Sequence, residues 1–190
     1  VDVAPYRVPS ADDAGELIDG GFTLSLNPGE KRTFVVILGV EPAFGEGASW
    51  VKFTATEPLI GYELFANPDS SPGEQFAGLE AITSLGRNLV FPHTENAVSE
   101  GFTAVAVVNP GDETANITLS LISASGVRKE AVETNIQPKS KRTFLAALLF
   151  AESTIDLGDT ILVESDRDIA GFELYGTQDK TIGAVLSTAY

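Results

Sequence analysis

Two blocks of the chain recur at one spacing, and this repeat restricts the fold more than any other feature. Residues 28–34 read Pro-Gly-Glu-Lys-Arg-Thr-Phe, and residues 138–144 read Pro-Lys-Ser-Lys-Arg-Thr-Phe. Residues 61–65 read Gly-Tyr-Glu-Leu-Phe, and residues 171–175 read Gly-Phe-Glu-Leu-Tyr. Pro28 to Pro138 and Gly61 to Gly171 are the same offset, 110 positions. Between the blocks, Trp50-Val-Lys-Phe-Thr-Ala-Thr-Glu-Pro-Leu-Ile lies over Thr160-Ile-Leu-Val-Glu-Ser-Asp-Arg-Asp-Ile-Ala, each reading as strand, polar turn, strand. A period of about 100 residues is the size of a self-sufficient domain rather than of a solenoid unit. The chain therefore divides into residues 1–86 and 87–190, with the boundary near Ser84-Leu-Gly-Arg-Asn88, where Gly and polar residues interrupt the pattern.

Within the second copy the signals are those of strands. Thr103 to Asn109 is a short buried strand carrying Val105, Val107 and Val108. Pro110-Gly-Asp-Glu-Thr-Ala reads as a turn, and Asn116 to Ser123 alternates Ile117, Leu119 and Leu121 with Thr118 and Ser120. Together these predict a half-buried antiparallel hairpin. Ala124-Ser-Gly126 turns again, after which Val132, Thr134 and Ile136 alternate with Glu133, Asn135 and Gln137. Short strands separated by Gly, Pro, Asn and Asp predict antiparallel β-sandwiches of immunoglobulin-like or jelly-roll-like type. One segment departs from this style. The Leu and Ala content of Phe144 to Phe150 predicts a short helix or 3₁₀ turn across one end of the sandwich, whereas the matching Val35-Val-Ile-Leu is more strand-like.

The first copy is short of material. Asn88 set back by 110 falls about 22 positions before Val1, so the counterparts of Leu89-Val-Phe-Pro-His and of Thr103 to Asn109 have no place in it. Val1 to Val8 covers the counterpart of Asn116 to Ser123, with Pro5 and Pro9 favouring a sheet edge. A missing strand leaves unpaired backbone and a slot in the core. Three solutions are open: the strand lies in a preceding module, a neighbouring molecule donates it, or the first domain closes over the gap.

Composition narrows the partners. With 27 acidic and 12 basic residues the net charge is −15, which repels nucleic acid and anionic lipid. The longest apolar stretch, Leu145 to Ala151, is too short to span a membrane. There is no Cys, which excludes a disulfide framework, a Cys-ligated zinc and a thiol nucleophile. The chain opens on Val1 with no charged and apolar leader, which predicts a removed signal peptide or a piece of a longer chain.

Phe91-Pro-His93, then Gly101-Phe-Thr-Ala-Val-Ala-Val-Val-Asn-Pro-Gly-Asp112, then Ala115-Asn-Ile-Thr-Leu-Ser-Leu121 form a recognisable succession. With Lys141-Arg-Thr-Phe144 and Val163-Glu-Ser-Asp-Arg-Asp-Ile-Ala-Gly-Phe-Glu-Leu-Tyr175, it resembles the tandem β-sandwich repeat modules of large exported and surface proteins of bacteria. The resemblance covers nearly all of the second copy and the first from about Leu26. It implies export and a structural, adhesive or accessory role, and supplies no catalytic residue.

A search for chemistry gives little. Glu63 and Glu173 recur on strands among aromatics, but one carboxylate per domain cannot serve as both acid and base of a glycosidase. Each is expected to be a structural acid, facing solvent or accepting backbone hydrogen bonds at an edge. His93 is the single histidine, with no Gly-x-Ser-x-Gly elbow, and reads as a packing or turn residue. Phe44-Gly-Glu-Gly-Ala lacks the Lys of a phosphate loop. Asp156, Asp159, Asp166 and Asp168 offer oxygens that calcium uses, without EF-hand or nonapeptide spacing, and read as solvated turns, as do Asp12-Asp13 and Asp112-Glu113. Trp50, Tyr62 and Phe65 are candidates for a sugar-stacking platform; a core or interdomain role for Trp50 fits its large ring better. Asn116-Ile-Thr118 matches the glycosylation pattern.

These readings predict a non-enzymatic extracellular module with no catalytic, cofactor-binding or metal site. It would serve as a stalk segment of a surface protein or as a filament subunit joined by strand complementation. Its partners would be copies of itself or neighbouring modules. The other reading is a carbohydrate- or protein-binding accessory module of a secreted enzyme.

Overall fold

One long strand organises the second half of the chain. In the computed structural model, which describes residues 1–33, 48–67, 75–95, 101–177 and 182–189, this strand is an 18-residue segment, Thr160–Thr177. The 13 strands around it are numbered in chain order. In this half they are β7 (Gly86–Phe91), β8 (Gly101–Asn109), β9 (Ala115–Ile122), β10 (Arg128–Ile136), β11 (Ser140–Leu145), β12 (the long strand), β13 (Ile182–Leu186) and β14 (Thr188–Ala189). The first half of β12 lies between β9 and β7, with Ile161 opposite both Leu121 and Phe91. Its second half lies between β8 and β13, with Phe172 opposite Ala106 and Leu186. The strand thus leaves one antiparallel sheet, β10-β9-β12-β7-β14, and enters another, β11-β8-β12-β13. The register slips between Glu164 and Ile169, where it crosses the corner. The polar turn read at Ser165–Asp168 is a bend within a continuous strand, because β7 and β8 supply partners on either side of it.

The two sheets enclose an apolar core. Ile117, Leu119 and Leu121 of β9, Ile161 and Val163 of β12, Leu89 and Phe91 of β7, and Val105 and Val107 of β8 are all buried. The alternation on β10 is the expected one: Val132 and Thr134 are half-buried, Ile136 is buried, and Glu133 and Asn135 are exposed. On β9 it departs at Ser120, expected on the more open face but as fully buried as Leu119 and Leu121. Each fully buried aliphatic chain here contributes about 1.5–3 kcal/mol by leaving water. The short helix expected near Phe144 is present as α1 (Ala146–Leu149), with Ala146 and Phe150 buried.

The hairpin expected from Thr103–Asn109 and Asn116–Ser123 does not form. β8 pairs with β11 and β12, whereas β9 pairs with β10 and β12. The turn after Asn109 carries the chain from one sheet to the other. Buried Asn109 fastens it: its amide nitrogen donates to the carbonyls of Glu113 (2.7 Å), Ile136 (3.0 Å) and Gln137 (3.2 Å), and its oxygen accepts from the Gly111 N–H at 3.0 Å. Both strands face the core, so their side-chain pattern is the same whether they share a sheet or oppose each other.

The described residues of the first half form β1 (Asp2–Arg7), β2 (Glu16–Leu17), β3 (Phe22–Thr23), β4 (Trp50–Thr54), β5 (Tyr62–Asn67) and β6 (Gln75–Glu80). β1 pairs β4 on one side, Tyr6 opposite Trp50, as β9 pairs β12 with Ile122 opposite Thr160. On its other side it pairs β3 near its start and β2 near its end. Pro5 therefore sits in a central strand rather than at an edge. It is tolerated because the partner strand is interrupted there by a 3₁₀ turn, Ile18–Gly20, so the missing N–H breaks no bond on that side. The Pro28 and Pro138 turns match in conformation, with Gly29 at φ 77° and Lys139 at φ 55° in the left-handed region that a type II turn requires. The strand-like reading of Val35-Val-Ile-Leu and the Phe44-Gly-Glu-Gly-Ala segment lie outside the described residues.

Candidate functional site: an open sheet edge

The repeat makes the two halves directly comparable. β4 and β5 stand at the positions of the first and second halves of β12. In the second half of the chain those positions are flanked on both sides. In the first half, among the described residues, β4 pairs only with β1 and β5 pairs only with β6. Among the described residues, nothing in the first half stands where β7 and β8 flank β12 in the second. A strand edge with unpaired N–H and C=O groups is a template for another strand.

The side chains beside that edge are apolar and open to water. Tyr62 is 63% exposed and Leu64 68%, whereas Phe172 and Leu174 at the equivalent positions are half-buried between β8 and β13. Ile60 just ahead of β5 is 94% exposed, and Phe53 on β4 is also exposed. The opposite side of β6 is covered: Ala77 and Leu79 are buried, and β6 runs beside β13 of the second half.

Polar contacts fix the first half on the second. The Gly15 N–H donates to the Pro138 carbonyl at 2.8 Å, and a Cβ on Gly15 would lie 1.6 Å from the Lys139 oxygen. Trp50 stacks on Tyr6, centroids 4.5 Å apart and planes 9° from parallel, and its indole N–H donates to the Lys139 carbonyl at 2.9 Å. Trp50 thus serves as a bridge between the halves. The Lys141 ammonium donates to the Ser49 carbonyl, and a cleft of about 280 Å³ lined by Val8, Ser49 and Lys141 runs beside it. Protein packed on one side of Glu63 raises its carboxyl pKa, and the Lys141 charge opposes that rise. Lys141 is lowered by its own burial, opposed by Glu63.

Glu173 differs from Glu63, and from the solvent-facing or backbone-bonded acid expected of it. Its side chain shares a face with Gly171, where a Cβ would meet Phe91 and Leu89, so it points into the core. It is 0% exposed, and neither carboxylate oxygen has a hydrogen-bond partner. Burial pushes its pKa up to about 7, opposed by the nearby His93 backbone N–H. The His93 ring lies 4.1 Å from that of Tyr175, and its Nε2 is 3.0 Å from Glu95 Oε1. These groups pack the end of the sandwich. Strand periodicity puts Glu173 and Tyr175 on one face, but only the position of β7 shows that this face is the interior.

The acidic turns are largely spoken for by cations and amides. The Lys129 ammonium donates to Asp159 Oδ2 (2.6 Å), Asp156 Oδ2 (2.8 Å) and the Thr154 carbonyl (3.1 Å), standing where a metal ion would draw on the same oxygens. Donating to the Asp156 and Asp159 carboxylates raises the Lys129 pKa. Asp166 accepts from the backbone and side chain of Asn116, each at 2.8 Å, which lowers its pKa and occupies the amide of the glycosylation-like triplet. Asp168 pairs with Arg87, and Glu113 with Arg167. Among the described residues no group of three or more acidic or histidine side chains is arranged to hold a metal, and no helix is long and apolar enough to cross a membrane.

No family model matches the sequence, and no curated protein matches it. A solved structure, described as the crystal structure of Thermotoga maritima 1070, is similar over 55% of this chain and 95% of its own, with 16% identity and a TM-score of 0.46.

Proposed function

We propose that this chain is a non-enzymatic structural and interaction module of an extracellular assembly, joined to its neighbours through the edges of β4 and β5 in the first half. The observation that carries this reading is the contrast between equivalent edges. Each half of β12 is flanked on both sides, and β4 and β5 are flanked on one side only among the described residues. A strand added there would satisfy backbone groups and cover Tyr62 and Leu64 in one step, the mode used in strand complementation. The resemblance to bacterial surface repeats adds the expectation of export. The contacts of Gly15, Trp50 and Lys141 across the two halves suit a stiff segment that passes load along a stalk or filament.

The test is the mass of the native particle, by light scattering after size exclusion across a dilution series. Large assemblies that persist on dilution support a self-assembling subunit. A particle of 20.0 kDa at every concentration removes filament formation by this chain alone, leaving the stalk segment.

A further inference from the structure

We propose that the edge of β5 away from β6, which has no partner strand among the described residues, is a docking site for an extended, uncharged segment with the residue pattern of β8, supplied by another repeat of this type. The inference rests on the interaction-module reading and names the partner's chemistry. The second half of the chain shows what fills the equivalent edge. β8 runs antiparallel to β12 there, with Val107 opposite Gly171, Ala106 opposite Phe172, Val105 opposite Glu173, Ala104 opposite Leu174 and Thr103 opposite Tyr175. Set back by 110 positions, the same register puts β-branched residues opposite Gly61 and Glu63 and small residues opposite Tyr62 and Leu64.

Three further observations agree. The strand sequence that accepts β8 in the second copy, Gly-aromatic-Glu-Leu-aromatic, is kept in the first. Tyr62 and Leu64 are exposed where Phe172 and Leu174 are half-buried beside β8. β8 has no charged residue between Gly101 and Asn109, so a strand of its kind approaches a chain of charge −15 without the repulsion an acidic strand would meet.

The experiment titrates the full chain with a synthetic peptide of the Gly101–Asn109 sequence, extended by two lysines for solubility. A control peptide has the same side chains but carries N-methyl groups on consecutive backbone nitrogens, which blocks the N–H groups of both strand edges. Amide hydrogen exchange is read at Tyr62–Asn67. The expected result is at least about tenfold slower exchange on β5 with the first peptide and none with the second, since only the first can extend the sheet. Equal effects of both peptides, or protection elsewhere but not on β5, would overturn the proposal. The two readings separate cleanly. Peptide protection of a chain that stays monomeric upholds the docking site and removes self-assembly. Assemblies that form while the peptide neither protects β5 nor disperses them uphold assembly and remove this edge as its joint.

Discussion

Glu173 keeps an ionisable carboxyl in the core with no hydrogen-bond partner for either oxygen. Its ordinary pKa of 4.5 rises to about 7 in the folded chain because burial disfavours the charge. Between those values the folded state holds a proton that the unfolded state has released, so stability falls as pH rises through this window. The full penalty, about 3 kcal/mol, is present above the folded value. Glu173→Gln is therefore expected to stabilise the chain by about that amount near pH 8 and to change little near pH 4, as measured by urea unfolding at each pH. A gain of the same size at both would place the effect in packing instead. The recurrence of Glu at this position was legible from the repeat and pointed to a structural acid at a solvent-facing or edge site. Its burial was not, because strand periodicity gives two faces and does not say which one is covered.

Gly171 shows how tightly β12 is held between its neighbours. A Cβ there would meet the Ala106 carbonyl oxygen and Phe91 Cζ, each at 2.9 Å, and Leu89 Cδ1 at 3.3 Å. Gly171→Ala is expected to cost about 1–3 kcal/mol by overpacking, seen as a lower midpoint in thermal or urea unfolding. An unchanged midpoint would mean that β7 and β8 are free to move away from β12. The strands themselves were legible: the alternating runs of β9 and β10, the buried run of β8 and the short helix after Phe144 all lie where the residues place them. Their pairing was not. β8 and β9 look like a hairpin because each alternates correctly and a turn joins them, yet Asn109 turns the chain across to the other sheet. In the same way, Pro5 reads as an edge residue but lies in the middle of a sheet, where a partner strand is interrupted beside it.

At the scale of the whole molecule, charge and the open edge pull in opposite directions. Copies of net charge −15 repel one another, while the β5 edge offers backbone and apolar side chains for pairing. Raising salt from about 0.01 M to about 0.15 M shortens the screening length from roughly 30 Å to 8 Å. Assembly through an uncharged strand should therefore strengthen over that range, read as a higher weight-average mass at fixed protein concentration. Weakening with salt would point to an interface made of ion pairs. The sequence by itself determined the all-β class, the repeat and the absence of a thiol or disulfide, because these follow from residue counts, order and local periodicity. Only the tertiary structure decided which strands share a sheet, which face of β12 is interior, and that Trp50 bridges the halves through the Lys139 carbonyl. These depend on partners distant in the chain, and local pattern is the same for a strand paired with its sequence neighbour as for one paired across the core.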